Sequence, residues 1–127
     1  MKTKSVLAFI FISIFSFALL SAIAPLNDHH YDLAKGKIVF EENCSGCHGM
    51  KGEGGFGPNL TDDYYLHGHH YHNVVHTIKH GNKKGMTAFA HHLSHHQIKN
   101  VAHYVMSLRG TNPPNAKAPQ GKLHKHK

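Results

Sequence analysis

The chain has 127 residues, with 14 Lys and Arg, 7 Asp and Glu, 16 His and only 2 Cys. Its formal charge of +7 is concentrated at the two ends. Between Pro25 and Ala116 eight basic residues face seven acids, so a nucleic-acid reading has no basic folded face to rest on.

Residues 1–24 open with Lys2 and Lys4, run without charge from residue 6 to 24 and close on Ala22-Ile23-Ala24. A basic start, an apolar stretch and a small-x-small end describe an export signal. The run is longer than a usual signal core and approaches the ~20 residues that span a bilayer, and Pro25 sits awkwardly after the expected cut. A cleaved signal and an uncleaved membrane anchor both fit, and both place the rest of the chain outside the cytoplasm. Beyond it lies one modest domain, expected over residues 25–111, whose core is small unless a cofactor fills it.

Residues 32–43 read as an amphipathic helix, with Leu33, Gly36, Lys37 and Phe40 at i, i+3, i+4 and i+7. Gly36 costs about 1 kcal/mol inside a helix relative to alanine, a sign of close approach by another helix. Cys44-Ser45-Gly46-Cys47-His48 follows. A C-x-x-C pair followed at once by histidine is the attachment signature of a c-type haem. Each thiol adds across one haem vinyl group, and the imidazole of His48 reaches the iron. A thioredoxin-like motif would need a flanking βαβ pattern, and a zinc site would need a histidine pair about 12–15 residues later; neither is present.

Five glycines between Gly49 and Pro58 describe a loop. Thr61 is then the expected N-cap of a short helix to about Leu66. A further helix is expected over residues 71–80, with Val74, Val75 and Ile78 inward and Gly81 as its stop. Ser94-x-x-Gln97 is a capping box opening the last helix, whose buried stripe is Ile98, Val101, Ala102, Val105 and Leu108, with Gly110 at its end. Residues 112–127 read as an extended, frayed basic tail.

Four methionines compete for the opposite face of the iron. Met1 belongs to the leader, Met50 is too close to His48, and Met106 lies in an apolar helical stripe where packing is the better expectation. Met86, in a loop after Gly85, is the expected distal ligand. The histidine pairs are read first as a solvated surface. The sharper alternative is a surface site for copper, zinc or nickel, for which His92 and His96 are the candidate pair if His92 is already helical.

These motifs resemble class I cytochromes c, and more narrowly the C-terminal haem domain of the dihaem subunit of cbb-type haem–copper oxidases. The matching runs are Gly36-x-x-x-Phe40-x-x-Asn43-Cys44-x-x-Cys47-His48-Gly49, Gly57-Pro58-Asn59-Leu60-Thr61-Asp62, Tyr65-Leu66-His67-Gly68, Lys84-Gly85-Met86 and Val101-Ala102-x-Tyr104-Val105-x-Ser107-Leu108-x-Gly110. The segment from Gly110 to Lys117 also resembles that subunit. The resemblance implies an all-α fold, with first and last helices crossed around a covalently bound haem c. It implies that Gly36 and Phe40 meet the last helix near Tyr104, and that the carbonyl of Pro58 accepts the N–H of His48.

The expected function is one-electron transfer by a mono-haem carrier rather than catalysis. It would work in the periplasm or on the outer face of the cytoplasmic membrane, between a donor complex and a terminal oxidase. One haem motif, where the oxidase subunit has two, favours a free-standing carrier over a subunit of a complex.

Overall fold

The computed structural model describes residues 30–125, so the leader or anchor expected at residues 1–24 lies outside the described residues. Asp32 caps the first helix, α1 (Leu33–Asn43): its backbone is extended and its side chain accepts the N–H of Lys35 at 3.0 Å. That bond, opposed by desolvation, holds the Asp32 carboxyl below its ordinary range. The N–H of Asp32 also donates to Asn100 Oδ1 at 2.9 Å, tying the start of α1 to the last helix. A single-turn helix, α2 (Ser45–His48), follows at once; α3 spans Tyr71–His80 and α4 spans His95–Ser107.

The core lies where α1 and α3 pack on α4. Phe40, Val101 and Ala102 are fully buried, with Val39, Ile78, Leu93, Ile98 and Leu108 around them. Gly36 is explained by this packing. A Cβ there would strike the backbone carbonyl of Asn100 and sit 3.0 Å from Cβ of Tyr104, so only glycine lets the two helices approach this closely. Phe40 meets Tyr104 with ring centroids 5.4 Å apart. The capping box of α4 forms as its sequence predicts: Ser94 Oγ accepts from Gln97 N–H, and Gln97 Oε1 accepts from Ser94 N–H.

His103 departs from a solvated surface. Its ring lies between Tyr31, at 3.7 Å, and Tyr71, at 4.4 Å, joining the chain before α1 to α3 and α4. Burial, assisted by the nearby Lys99 charge, lowers its pKa below the ordinary 6.5.

Two expectations are corrected. Residues 61–66 form no helix, because the polar side chains that would start one bond locally instead. Asn59 Oδ1 accepts both the N–H and the hydroxyl of Thr61, at 2.8 and 2.7 Å, and Asp62 Oδ1 accepts Tyr64 N–H at 2.9 Å. The chain turns there and continues as a short strand, β1 (Tyr64–Tyr65).

Its partner is the second correction. The segment after α4 does not fray. It returns to form β2 (Lys122–Leu123), antiparallel to β1 with Tyr64 opposite Leu123, and His124 N–H donates to the Asp63 carbonyl at 2.8 Å. Among the described residues the fold is therefore mostly helical with one two-stranded sheet, rather than purely α. Among the described residues no helix is long and apolar enough to cross a membrane.

Candidate haem-binding site

The site begins where α1 hands over to α2. Cys44 N–H bonds to the Phe40 carbonyl, closing α1, and its C=O accepts from the N–H groups of Cys47 and His48. One helical turn thus holds both thiols and the imidazole in a fixed order. Cys44 is half-buried and Cys47 exposed, and neither is in a disulfide. Burial, then the neighbouring Cys47, pushes the Cys44 thiol up to about 11.

His48 lies in a half-buried slot. Its Nδ1 is 2.9 Å from the carbonyl of Pro58. A carbonyl can only accept, so Nδ1 carries the proton and Nε2 keeps its lone pair for another ligand. Burial lowers the pKa of His48, the Pro58 carbonyl opposes that shift, and the charge of Lys117 adds to it. Gly57 forms the floor of the slot: a Cβ there would come within 2.8 Å of Cε1 and 2.9 Å of Nδ1.

The loop between the thiols and Pro58 is tied back to α2. Gly54 N–H donates to the His48 carbonyl at 2.7 Å and Gly57 N–H to the Cys47 carbonyl at 2.8 Å. On a separate segment, Asn82 N–H donates to the Met86 carbonyl at 3.0 Å and Gly85 N–H to the Asn82 carbonyl at 3.3 Å. This tight turn carries Met86, whose side chain is half-buried against the core.

Cys44, Cys47, His48, Pro58 and Met86 all line one cavity of about 350 Å³, within the size range of ligand sites. Leu60, Val74, Ile78, Phe89 and Val105 supply apolar wall. The residues present fit a c-type haem: two thiols for attachment, an imidazole with a free ring nitrogen, a thioether sulfur and a floor that tolerates no side chain beside the ring.

Among the lining residues that sequence reasoning did not place at the site are Tyr65, Met106, Arg109 and Lys117. Met106, expected as simple core filler, reaches the cavity too. Arg109 donates to the Tyr65 hydroxyl and, at 3.0 Å, to the His69 carbonyl, with its guanidinium 4.5 Å from the Tyr65 ring centre. Burial raises the Tyr65 phenol, and Arg109 opposes the rise. Arg109 lies just past the C-cap Leu108 of α4, in the turn before Gly110, where no helical spacing could have flagged it. Met50 is exposed and does not line the cavity.

The pair His92 and His96 is not brought together as expected. His92 lies in the turn before the extended cap Ser94, so the i, i+4 relation on one helical face does not exist. That relation occurs instead in α3, where the rings of His76 and His80 are 4.6 Å apart. Among the described residues no group of three or more His, Cys, Asp or Glu is placed to hold a metal ion.

Comparison with known proteins agrees with this geometry. Residues 32–105 match the model of cytochrome c oxidase, cbb3-type, subunit III. A cbb3-type cytochrome c oxidase subunit FixP from Azorhizobium caulinodans is 44% identical over 89 residues, covering 63% of this chain and 30% of that protein. A subunit CcoP from Azospirillum brasilense is 37% identical over 106 residues, covering 72% of this chain and 36% of that protein. The chain thus spans about a third of the length of these relatives. The crystal structure of cytochrome CL from Methylophaga aminisulfidivorans superimposes with a TM-score of 0.57 at 27% identity, covering 69% of each chain. The cofactor that the thiols, the imidazole and these likenesses share is a covalently bound haem c, and the chain belongs to the family of cbb3-type cytochrome c oxidase subunit III.

Proposed function

We propose that this chain is a mono-haem cytochrome carrying single electrons on the outer side of the cytoplasmic membrane, between a donor complex and a terminal oxidase. The observation that carries the reading is the convergence of Cys44, Cys47, His48 and Met86 on one cavity. Bound haem c supplies an iron that cycles between ferrous and ferric states. Cys44 and Cys47 anchor it by thioethers, which keeps it in place in either oxidation state. His48 presents Nε2 to the iron while the Pro58 carbonyl holds Nδ1–H, a contact that fixes the ring and raises its basicity. Met86, presented by a backbone-bonded turn, would hold the iron through its thioether sulfur, and Met106 would contribute apolar wall. Were His48 and Met86 both to hold the iron, the protein would leave it no position for substrate, which supports electron transfer rather than catalysis.

The relatives are named as oxidase subunits, which favours a cbb3-type oxidase as partner, whether the chain docks on it or is built into it. Residues 1–24 serve as export signal or membrane anchor. The packing of α1 on α4 is compatible with the crossed first and last helices of class I cytochromes c.

The reading is tested on protein made with haem-maturation machinery. Haem-dependent peroxidase staining should persist on a denaturing gel and vanish in a Cys44→Ser, Cys47→Ser double variant. The weak methionine-to-iron band near the red end of the oxidised spectrum should be lost in Met86→Ala and kept in Met106→Leu. Absence of covalent staining in the parent protein would sink the proposal.

A second reading, surface chelation of a divalent metal, has one observation in its favour: the i, i+4 pair His76 and His80, both exposed. Imidazoles at this spacing suit copper, nickel or zinc. Copper(II) at substoichiometric amounts should broaden the ring signals of His76 and His80 before those of His92 and His96. Uniform broadening across the histidines leaves them a solvated surface.

A further inference from the structure

Resting on the haem reading, we infer that Lys117 is a positioning residue for His48, delivered to the site by the segment that follows α4. That segment turns back through Asn112 and Asn115, both at positive φ (39° and 62°), conformations that asparagine tolerates better than most residues. Lys117 is then fixed by its own backbone: its N–H donates to the Glu53 carbonyl at 2.8 Å, and its C=O accepts from Asn59 Nδ2 at 3.2 Å.

The side chain does more than fill space. Its ammonium donates to three consecutive carbonyls, those of Gly55 at 2.9 Å, Phe56 at 3.3 Å and Gly57 at 3.2 Å. An ammonium has three N–H donors, and each has a partner in one short loop. Three carbonyl dipoles aimed at one point repel each other, so the loop needs a cation there to hold this shape.

The shape matters because this is the loop that seats the imidazole. Gly57 lies against the His48 ring, and the next residue, Pro58, accepts its Nδ1–H at 2.9 Å. Lys117 therefore acts on His48 at one remove, by fixing the backbone that fixes the ring. It also places a positive charge beside the proximal ligand. Oxidation adds one positive charge at the iron, so a cation nearby disfavours the ferric state and raises the midpoint potential.

The experiment uses the full chain with haem attached, in Lys117→Met, Lys117→Gln and Lys117→Arg variants whose folding is checked by circular dichroism. Midpoint potential is measured at low and high ionic strength, and the His48 ring is followed by its paramagnetically shifted NMR signals in the ferric state. Lys117→Met should shift the redox equilibrium toward ferric by about threefold at low salt, and by less at high salt. It should also speed exchange of His48 Nδ1–H, while Lys117→Arg stays near the parent in both. Lys117→Gln keeps a donor but removes the cation that the loop carbonyls need, so it should shift the potential as Lys117→Met does and speed the exchange less than that variant; should Lys117→Met not fold, this variant decides.

An unmoved potential and unmoved His48 signals in Lys117→Met, or in Lys117→Gln an unmoved potential, overturn the proposal. So does a Lys117→Arg variant that departs as far as Lys117→Met. Covalent haem with none of these shifts sinks the Lys117 role alone, whereas absence of covalent haem sinks the functional reading beneath it.

Discussion

At the scale of single residues, the site depends as much on side chains that are missing as on those present. Gly57 leaves room for the His48 ring, and a methyl group there would sit inside contact distance of three ring atoms. Gly57→Ala should displace the imidazole or open the loop, lowering stability by about 1–3 kcal/mol. Chemical denaturation of the haem-loaded protein measures the loss, and its absorption spectrum should show altered axial ligation. His103 gives a pH dependence of definite sign. Its pKa is lowered in the fold, so the unfolded chain takes up the proton first as pH falls through about 6.5. Its contribution to stability is complete above that pH and declines below it. Comparing unfolding of the parent with His103→Phe from pH 7.5 to 5 isolates this contribution from the other histidines: the parent should lose more stability than the variant on acidification. The histidine in this role was hidden in the sequence among 15 others, because its two stacking partners come from before α1 and from α3.

At the scale of elements, helix ends were legible and loop conformations were not. Asp32, Ser94 with Gln97, and Gly81 mark boundaries through bonds to residues within four positions, so local sequence is enough. Thr61 looks equally like a cap, yet its hydroxyl donates to Asn59 and no helix forms. Gly36 was legible as a close approach because glycine inside a helix lacks a local reason. Gly36→Ala should separate α1 from α4 and lower stability by about 1–3 kcal/mol. Gly46→Ala is the matched control, since a Cβ at Gly46 meets nothing within 4 Å; it should leave the denaturation midpoint unchanged or raise it slightly. Equal losses in the two variants would remove the packing explanation for Gly36.

At the scale of the whole molecule, the segment after α4 closes the fold by returning to the haem-attachment loop and then to β1. Removing residues 121–127 deletes β2 and the His124 bond to Asp63 but leaves Lys117 in place. That truncation should lower stability by about 1–2 kcal/mol and speed amide exchange at Tyr64 and Tyr65, with little effect on the haem spectrum. The sequence by itself determined the three main helices, the attachment pentapeptide Cys44 to His48 and the glycine-rich loop leading to Pro58. Each rests on spacing, capping or covalent chemistry among near neighbours. Only the tertiary structure decided that a second methionine, Met106, reaches the cavity beside Met86, and that the basic tail becomes a strand and a clasp. Those outcomes depend on carbonyls and rings supplied by residues far along the chain, whose arrival no local pattern encodes.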